Sequence, residues 1–210
     1  FLILNFLLDV VPILNKRNWI KYSLILIFMW FYALITGFSP SVLRATTMLS
    51  FVVLGLMINR SSNVYNSMAA SAFFLLLINP FLIMQVGFQL SYLAVGGILF
   101  IQPKIEKLYQ PKNILLKKIW TLTTVSIAAQ CATFPLGVLY FHQFPNYFLL
   151  SNLIVIPMAF VILFLGLLLI LTSSIDWIYD FIGELLNFLV KSLNSSVNYI
   201  DQLPFALLEG

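Results

Sequence analysis

The chain has 210 residues, of which 61% are hydrophobic and 9% charged, with a formal net charge of +4. A soluble domain of this size carries about 25% charged residues, so the composition excludes a water-soluble globular fold. Apolar runs of about 18 residues or more recur along it, the mark of a polytopic membrane protein.

Taken in order, residues 1–18 read as the end of a cut helix, stopped by Pro12, and a basic loop, Asn15-Lys16-Arg17-Asn18. Because the chain opens on Phe1, we expect it to be a piece of a longer protein forming one domain over 1–210. No signal peptide is recognisable at its start. Residues 19–172 hold six expected spans. The first runs Trp19–Thr36, with Trp30, Phe31 and Tyr32 suited to an aromatic belt. Gly37-Phe38-Ser39-Pro40 is a turn, in which Ser39 is the expected N-cap and Pro40 opens a second span to Asn59. After Arg60-Ser61-Ser62-Asn63 the third span reaches Ile78; its Asn66, Ser67 and Ser71 read as a capped, solvated helix start. Asn79-Pro80 breaks the chain before a fourth span, Pro80–Ile101.

Gln102–Lys118 is the expected long polar connection, carrying Lys104, Lys107, Lys112, Lys117 and Lys118. Trp120–Phe141 is the fifth span, with Pro135 as a kink, and His142–Asn146 a turn. Tyr147–Leu171, containing Pro157, is the sixth. Residues 175–202 form an amphipathic helix. Asp176, Asp180, Glu184, Asn187, Lys191, Asn194, Asn198 and Asp201 recur at steps of three and four. Such a helix lies in the interface or spans with its stripe in a cavity, and its acidic start favours spanning. The expected fold is therefore all-α, a transmembrane bundle of about seven helical segments.

Placing the Lys104–Lys118 loop in the cytoplasm and alternating the spans puts nine of the eleven Lys and Arg residues inside. Only Arg44 and Lys191 fall elsewhere, so topology explains most of the positive charge.

Two polar seams run through the apolar spans. Gln85, Gln89, Tyr92 and Gly96 follow one another at helical spacing, as do Thr123, Ser126, Gln130, Thr133 and Gly137. Small and hydroxyl residues can serve helix packing, while glutamines in hydrocarbon must turn toward protein or water. Arg44, with Thr47 three residues on, either snorkels to lipid phosphate or meets an anion inside the bundle. No acidic residue lies in the six spans to neutralise it, which favours the anion. There is no metal-ligand spacing, phosphate loop or nucleophile elbow, so we expect no catalysis, metal or cofactor in this segment. His142 is alone in a turn, and Cys131 reads as a small buried hydrophobe.

Three stretches, Gly37-Phe-Ser-Pro-Ser-Val-Leu-Arg-Ala45, Asn79-Pro80 with Gly87-Phe-Gln-Leu-Ser-Tyr-Leu-Ala-Val-Gly-Gly-Ile98, and Phe134-Pro135 with Asn152-Leu-Ile-Val-Ile-Pro157, occur in order. Together they resemble the competence domain of ComEC-type DNA-uptake proteins, over about Gly37–Leu171. The resemblance implies a channel in the bacterial inner membrane that passes single-stranded DNA into the cytoplasm during natural transformation. It also implies an external DNA receptor and a cytoplasmic ATP-driven motor as partners. By motif position, Arg44, Gln89, Ser91, Gln130 and Asn152 fall near a path; Thr47, Gln85, Tyr92, Thr123 and Ser126 join them from the seams. Moving each phosphate charge inward costs about 2.3 kcal/mol per 100 mV, hence the motor. The residues leave two rivals open: a transporter of a small anion held by Arg44, and a membrane enzyme on lipid-linked substrates. They leave the oligomeric state open too.

Overall fold

The structure, a computed structural model, describes residues 18–58, 63–172, 176–204 and 207–209. The expected first helix end, with Asp9, Lys16 and Arg17, and the turn at Arg60 lie outside these residues. The described residues form seven α-helices: α1 (Asn18–Ile35), α2 (Pro40–Met57), α3 (Val64–Ile78), α4 (Val86–Glu106), α5 (Ile114–Phe141), α6 (Phe148–Leu171) and α7 (Asp176–Asp201). A 3-10 helix, Pro80–Met84, precedes α4, and two short strands, β1 (Gln143–Pro145) and β2 (Leu207–Glu209), complete the order. The fold is all-α apart from that ribbon. Contacts divide the chain into two compact units, meeting within α4 between Leu99 and Phe100.

In the first unit, α1 packs on α2 and α2 on α3. Ile25, Met29 and Val53 form the apolar centre, with Tyr22, Leu26 and Leu49 against it. The α1–α2 turn closes α1 with paired bonds, Phe38 N–H to Ala33 O at 2.8 Å and Gly37 N–H to Leu34 O at 3.0 Å. That geometry needs a left-handed residue after the helix, which Gly37 supplies at φ 65° without a Cβ penalty. Pro40 then opens α2 as expected; Ser39 stands at the cap position, but its side chain makes no capping bond. Asn63 caps α3 by accepting from Tyr65 N–H at 3.1 Å.

The fourth span departs from expectation at both ends. Asn79 accepts from Phe81 N–H and turns Pro80–Met84 into a 3-10 helix that packs back on α3. Gln85 is extended, and its carbonyl starts α4 by accepting from Phe88 and Gln89 N–H. Gln85 is therefore not on the helical face that its spacing to Gln89 implied. At the other end α4 runs on through Pro103 to Glu106. A proline there cannot donate to the carbonyl of Leu99, four residues back. The Tyr65 hydroxyl supplies the missing bond, 2.8 Å from Leu99 O.

In the second unit, α5 packs on α6 and α6 on α7. Gly166 and Gly183 lie on the facing sides of the last two: a Cβ at either would make an ordinary contact, 3.8 Å from Leu186 or Leu169 respectively. The expected connection Gln102–Lys118 contracts to residues 107–113, since Lys104 sits on α4 and Lys117 and Lys118 on the first turns of α5. The expected turn His142–Asn146 holds a strand instead. His142 ends α5 at φ 54°, and β1 pairs antiparallel with β2, Phe144 opposite Leu208. Phe144 also meets Phe134 and Phe148 edge-on, at 5.1 and 6.1 Å.

Four helices, α2, α4, α5 and α6, are long and apolar enough to cross a membrane; Trp19–Ile35 and Val64–Ile78 are apolar but shorter. None of the 24 residues of α6 is buried. A helix apolar all round that buries none of its residues, though it packs on two neighbours, is solvated by hydrocarbon, since water would not tolerate that much continuous apolar surface. The chain is a membrane protein.

Candidate functional site: a polar interior around Arg44

The interior of the first unit is unusually polar. Thr46, Thr47, Ser50, Ser67 and Ser71 are all buried, alongside Val53, Leu75 and Phe88. Ser67 and Ser71 thus face inward, where the sequence pointed to a solvated helix start. Three of these hydroxyls reach a carbonyl of their own helix. Thr47 Oγ1 donates to Leu43 O at 2.7 Å, Ser50 Oγ to Thr46 O at 2.7 Å, and Ser71 Oγ to Met68 O at 2.7 Å. Two further bonds cross between helices: Trp30 Nε1–H donates to Ser50 Oγ at 3.1 Å, and the Ser71 and Tyr92 hydroxyls stand 3.0 Å apart. Phe88 packs on Tyr92 with ring centres 4.5 Å apart.

Arg44, on the second turn of α2, reaches this interior. A Cβ built on Gly87 would lie 3.3 Å from Arg44 Nη2 and 3.7 Å from Nη1. The guanidinium therefore rests against the backbone of the first turn of α4, a seat that only glycine leaves fully open. Its Nε is buried and has no hydrogen-bond partner. Residues 18–99 contain no Asp or Glu, so no carboxylate of the described first unit neutralises it. Among the described residues of this unit the arrangement is electrostatically one-sided. The start of a helix carries a partial positive charge, and here a cation is pressed against it. A pairing of this kind is relieved by an anion, which both groups attract.

The other expected site residues are dispersed. Gln89 Nε2 donates to Ile83 O at 2.8 Å, folding back over the 3-10 turn, while Gln85 is exposed and Ser91 half-buried. In the second unit Thr123 Oγ1 donates to Ile119 O at 2.9 Å, Ser126 is buried, and Gln130 and Asn152 are half-buried on α5 and α6. Of the lysines, Lys104 lies over the Phe100 ring at 3.6 Å, Lys107, Lys112 and Lys117 border one cavity, and Lys118 is exposed. Lys21, at the start of the first expected span, is buried on α1. Sequence reading missed Gly87 as the seat of Arg44 and Ser71 as the partner of Tyr92. The four-residue step from Ser67 to Ser71 was the available signal for an inward polar face. Among the described residues, no group of three or more His, Cys, Asp or Glu is placed to hold a metal ion.

A profile of the family described as "Competence protein" matches residues 1–209. The ComE operon protein 3 of Bacillus subtilis (strain 168) is 34% identical over 134 residues, which are 64% of this chain and 16% of that protein. The matched stretch is thus a small part of the relative's length. No solved structure matches the chain. With the family profile covering nearly every residue, the chain belongs to the Competence protein family.

Proposed function

We propose that this chain is the membrane-spanning part of a channel that imports single-stranded DNA across the bacterial inner membrane during natural transformation. The observation that carries the reading is Arg44, a cation that no carboxylate of the described first unit neutralises, its Nε buried and unbonded, seated at the positive end of α4. A DNA strand offers one phosphate per nucleotide to such a point. Each charge-assisted bond to phosphate is worth about 1.5–3 kcal/mol, which can hold a phosphate on a hydrated path but is less than the several kcal/mol that full dehydration of the charge would cost. The surrounding groups are neutral hydroxyls already bonded to their own helices, so they wet the path without trapping the strand. Gln89, Ser91, Gln130 and Asn152 stand as further lining candidates. Inward movement against the membrane potential requires a cytoplasmic ATP-driven motor, and delivery requires an external DNA receptor. The segment itself carries out no catalysis. Lys107, Lys112, Lys117 and Lys118 sit at the cytoplasmic end of this topology, in accord with the positive-inside rule.

The test follows labelled DNA in cells making the full-length protein with Arg44, Arg44→Lys or Arg44→Gln. Protected DNA should accumulate outside the inner membrane in Arg44→Gln at unchanged protein level, with cytoplasmic DNA lower by about tenfold or more and partial recovery in Arg44→Lys. Equal cytoplasmic DNA in Arg44→Gln and wild type would overturn the reading.

A further inference from the structure

The turn joining α4 to α5 holds a cavity of about 450 Å³, bordered by Lys107, Lys112 and Lys117 with Glu106, Tyr109 and Trp120. Three ammonium groups face one carboxylate. That carboxylate is already engaged, since Glu106 Oε2 accepts from Gln102 Nε2 at 2.6 Å and Oε1 from Thr121 Oγ1 at 3.0 Å. One carboxylate cannot offset three ammonium groups, so the lining keeps an excess of positive charge that suits an anionic ligand. Immediately beside them the same turn presents Leu108, Ile114 and Leu115, 80%, 76% and 66% exposed. Apolar side chains that open, next to lysines, at the ends of two helices long enough to cross a membrane, place the cavity at headgroup depth.

From this juxtaposition we propose that the α4–α5 turn is a binding site for an anionic phospholipid. Its phosphate meets Lys107, Lys112 and Lys117, and its acyl chains lie along Leu108, Ile114 and Leu115. Basic pockets at helix ends, flanked by apolar surface, suit this chemistry. Single-stranded DNA suits the cavity less well. Tyr109 and Trp120 meet edge to face with centroids 5.6 Å apart, and the Trp120 indole N–H points at Glu106 O, 3.4 Å away. The rings thus hold each other and the end of α4, rather than presenting an open stacking platform. The proposal rests on the membrane placement of α4 and α5 and is independent of the DNA-channel reading.

Detergent-purified full-length protein is titrated with phosphatidylglycerol or phosphatidylcholine and its bound lipid counted by native mass spectrometry. Wild type should prefer phosphatidylglycerol. Each single Lys→Gln among the three should weaken that preference about fivefold, and the triple Lys107→Gln, Lys112→Gln, Lys117→Gln should abolish it. Lys191→Gln, far along the chain on α7, should keep it. Equal binding of the two lipids by wild type overturns the proposal, as does a preference that survives the triple substitution. An oligodeoxythymidylate that binds through the same three lysines, with phosphatidylglycerol binding unaffected by them, would reassign the cavity to nucleic acid and overturn it equally.

Discussion

The contact between Arg44 and Gly87 separates a role in stability from a role in transport. Gly87 is the second residue of α4 and has no left-handed backbone, so alanine fits its conformation. Replacing glycine in a helix by alanine gains up to about 1 kcal/mol, less in the first turn. The new Cβ meets Arg44 Nη2 at 3.3 Å and Cζ at 3.8 Å, and the flexible arginine must retreat by a few tenths of an ångström. A displaced rotamer costs about 0.5–1.5 kcal/mol, so the two effects nearly cancel and Tm should move by less than about 4 °C. On the proposed channel function transport should behave differently, because a large side chain at residue 87 moves the guanidinium off the position proposed to meet phosphate. On that proposal, losing the charge-assisted bond in Gly87→Leu should lower uptake by roughly 10- to 150-fold, while the few tenths of an ångström in Gly87→Ala keep the bond within reach and uptake close to wild type. The assay pairs thermal unfolding of the purified full-length protein with cytoplasmic recovery of labelled DNA. A folded Gly87→Leu protein that imports DNA like the wild type would refute the reasoning, and Arg44 would then be an anchor only.

Tyr65→Phe should destabilise the protein by about 1 kcal/mol, because Leu99 O loses its donor. Adding Pro103→Ala should recover most of that in chemical denaturation, since residue 103 regains an N–H for the same carbonyl. Ser71→Ala and Tyr92→Phe should each cost about 1 kcal/mol, and their double-mutant cycle should show coupling across the 3.0 Å bond; strict additivity would mean that the hydroxyls do not interact. Cys131 is exposed on α5, the helix read as crossing the bilayer; because the reacting thiolate does not form in hydrocarbon, a charged maleimide should label it only after detergent denaturation and not in sealed membranes. Rapid labelling by the charged reagent would put Cys131 on a water-filled path.

Helix breaks were legible in the sequence because they are decided locally. Pro40 and Pro80 cannot continue a helix from before them, Gly37 accepts the left-handed conformation that closes α1, and Asn63 and Asn79 carry side chains that reach the next free N–H groups. Arg44 was legible as an oddity because a charge in an apolar span demands a reason. Its seat was not, since nothing about Gly87 in the sequence says which helix will approach it. The buried side of α3 was equally hidden. In a membrane protein apolar residues face both lipid and core, so hydrophobic periodicity no longer tells inward from outward, and Ser67 and Ser71 looked like a wet helix start.

That this chain enters a membrane, that it is helical, and where most of its helices begin and end can be read from the residues alone. Those outcomes follow from composition and from dihedral and capping preferences within a few residues. Only the tertiary structure decided that α4 survives Pro103, because the rescuing Tyr65 hydroxyl lies 34 residues away. It alone joined β1 to β2, since a three-residue strand has no pattern of its own and exists only when its distant partner supplies the hydrogen bonds. It likewise set Arg44 against the start of α4, a contact made by packing and not by any local rule.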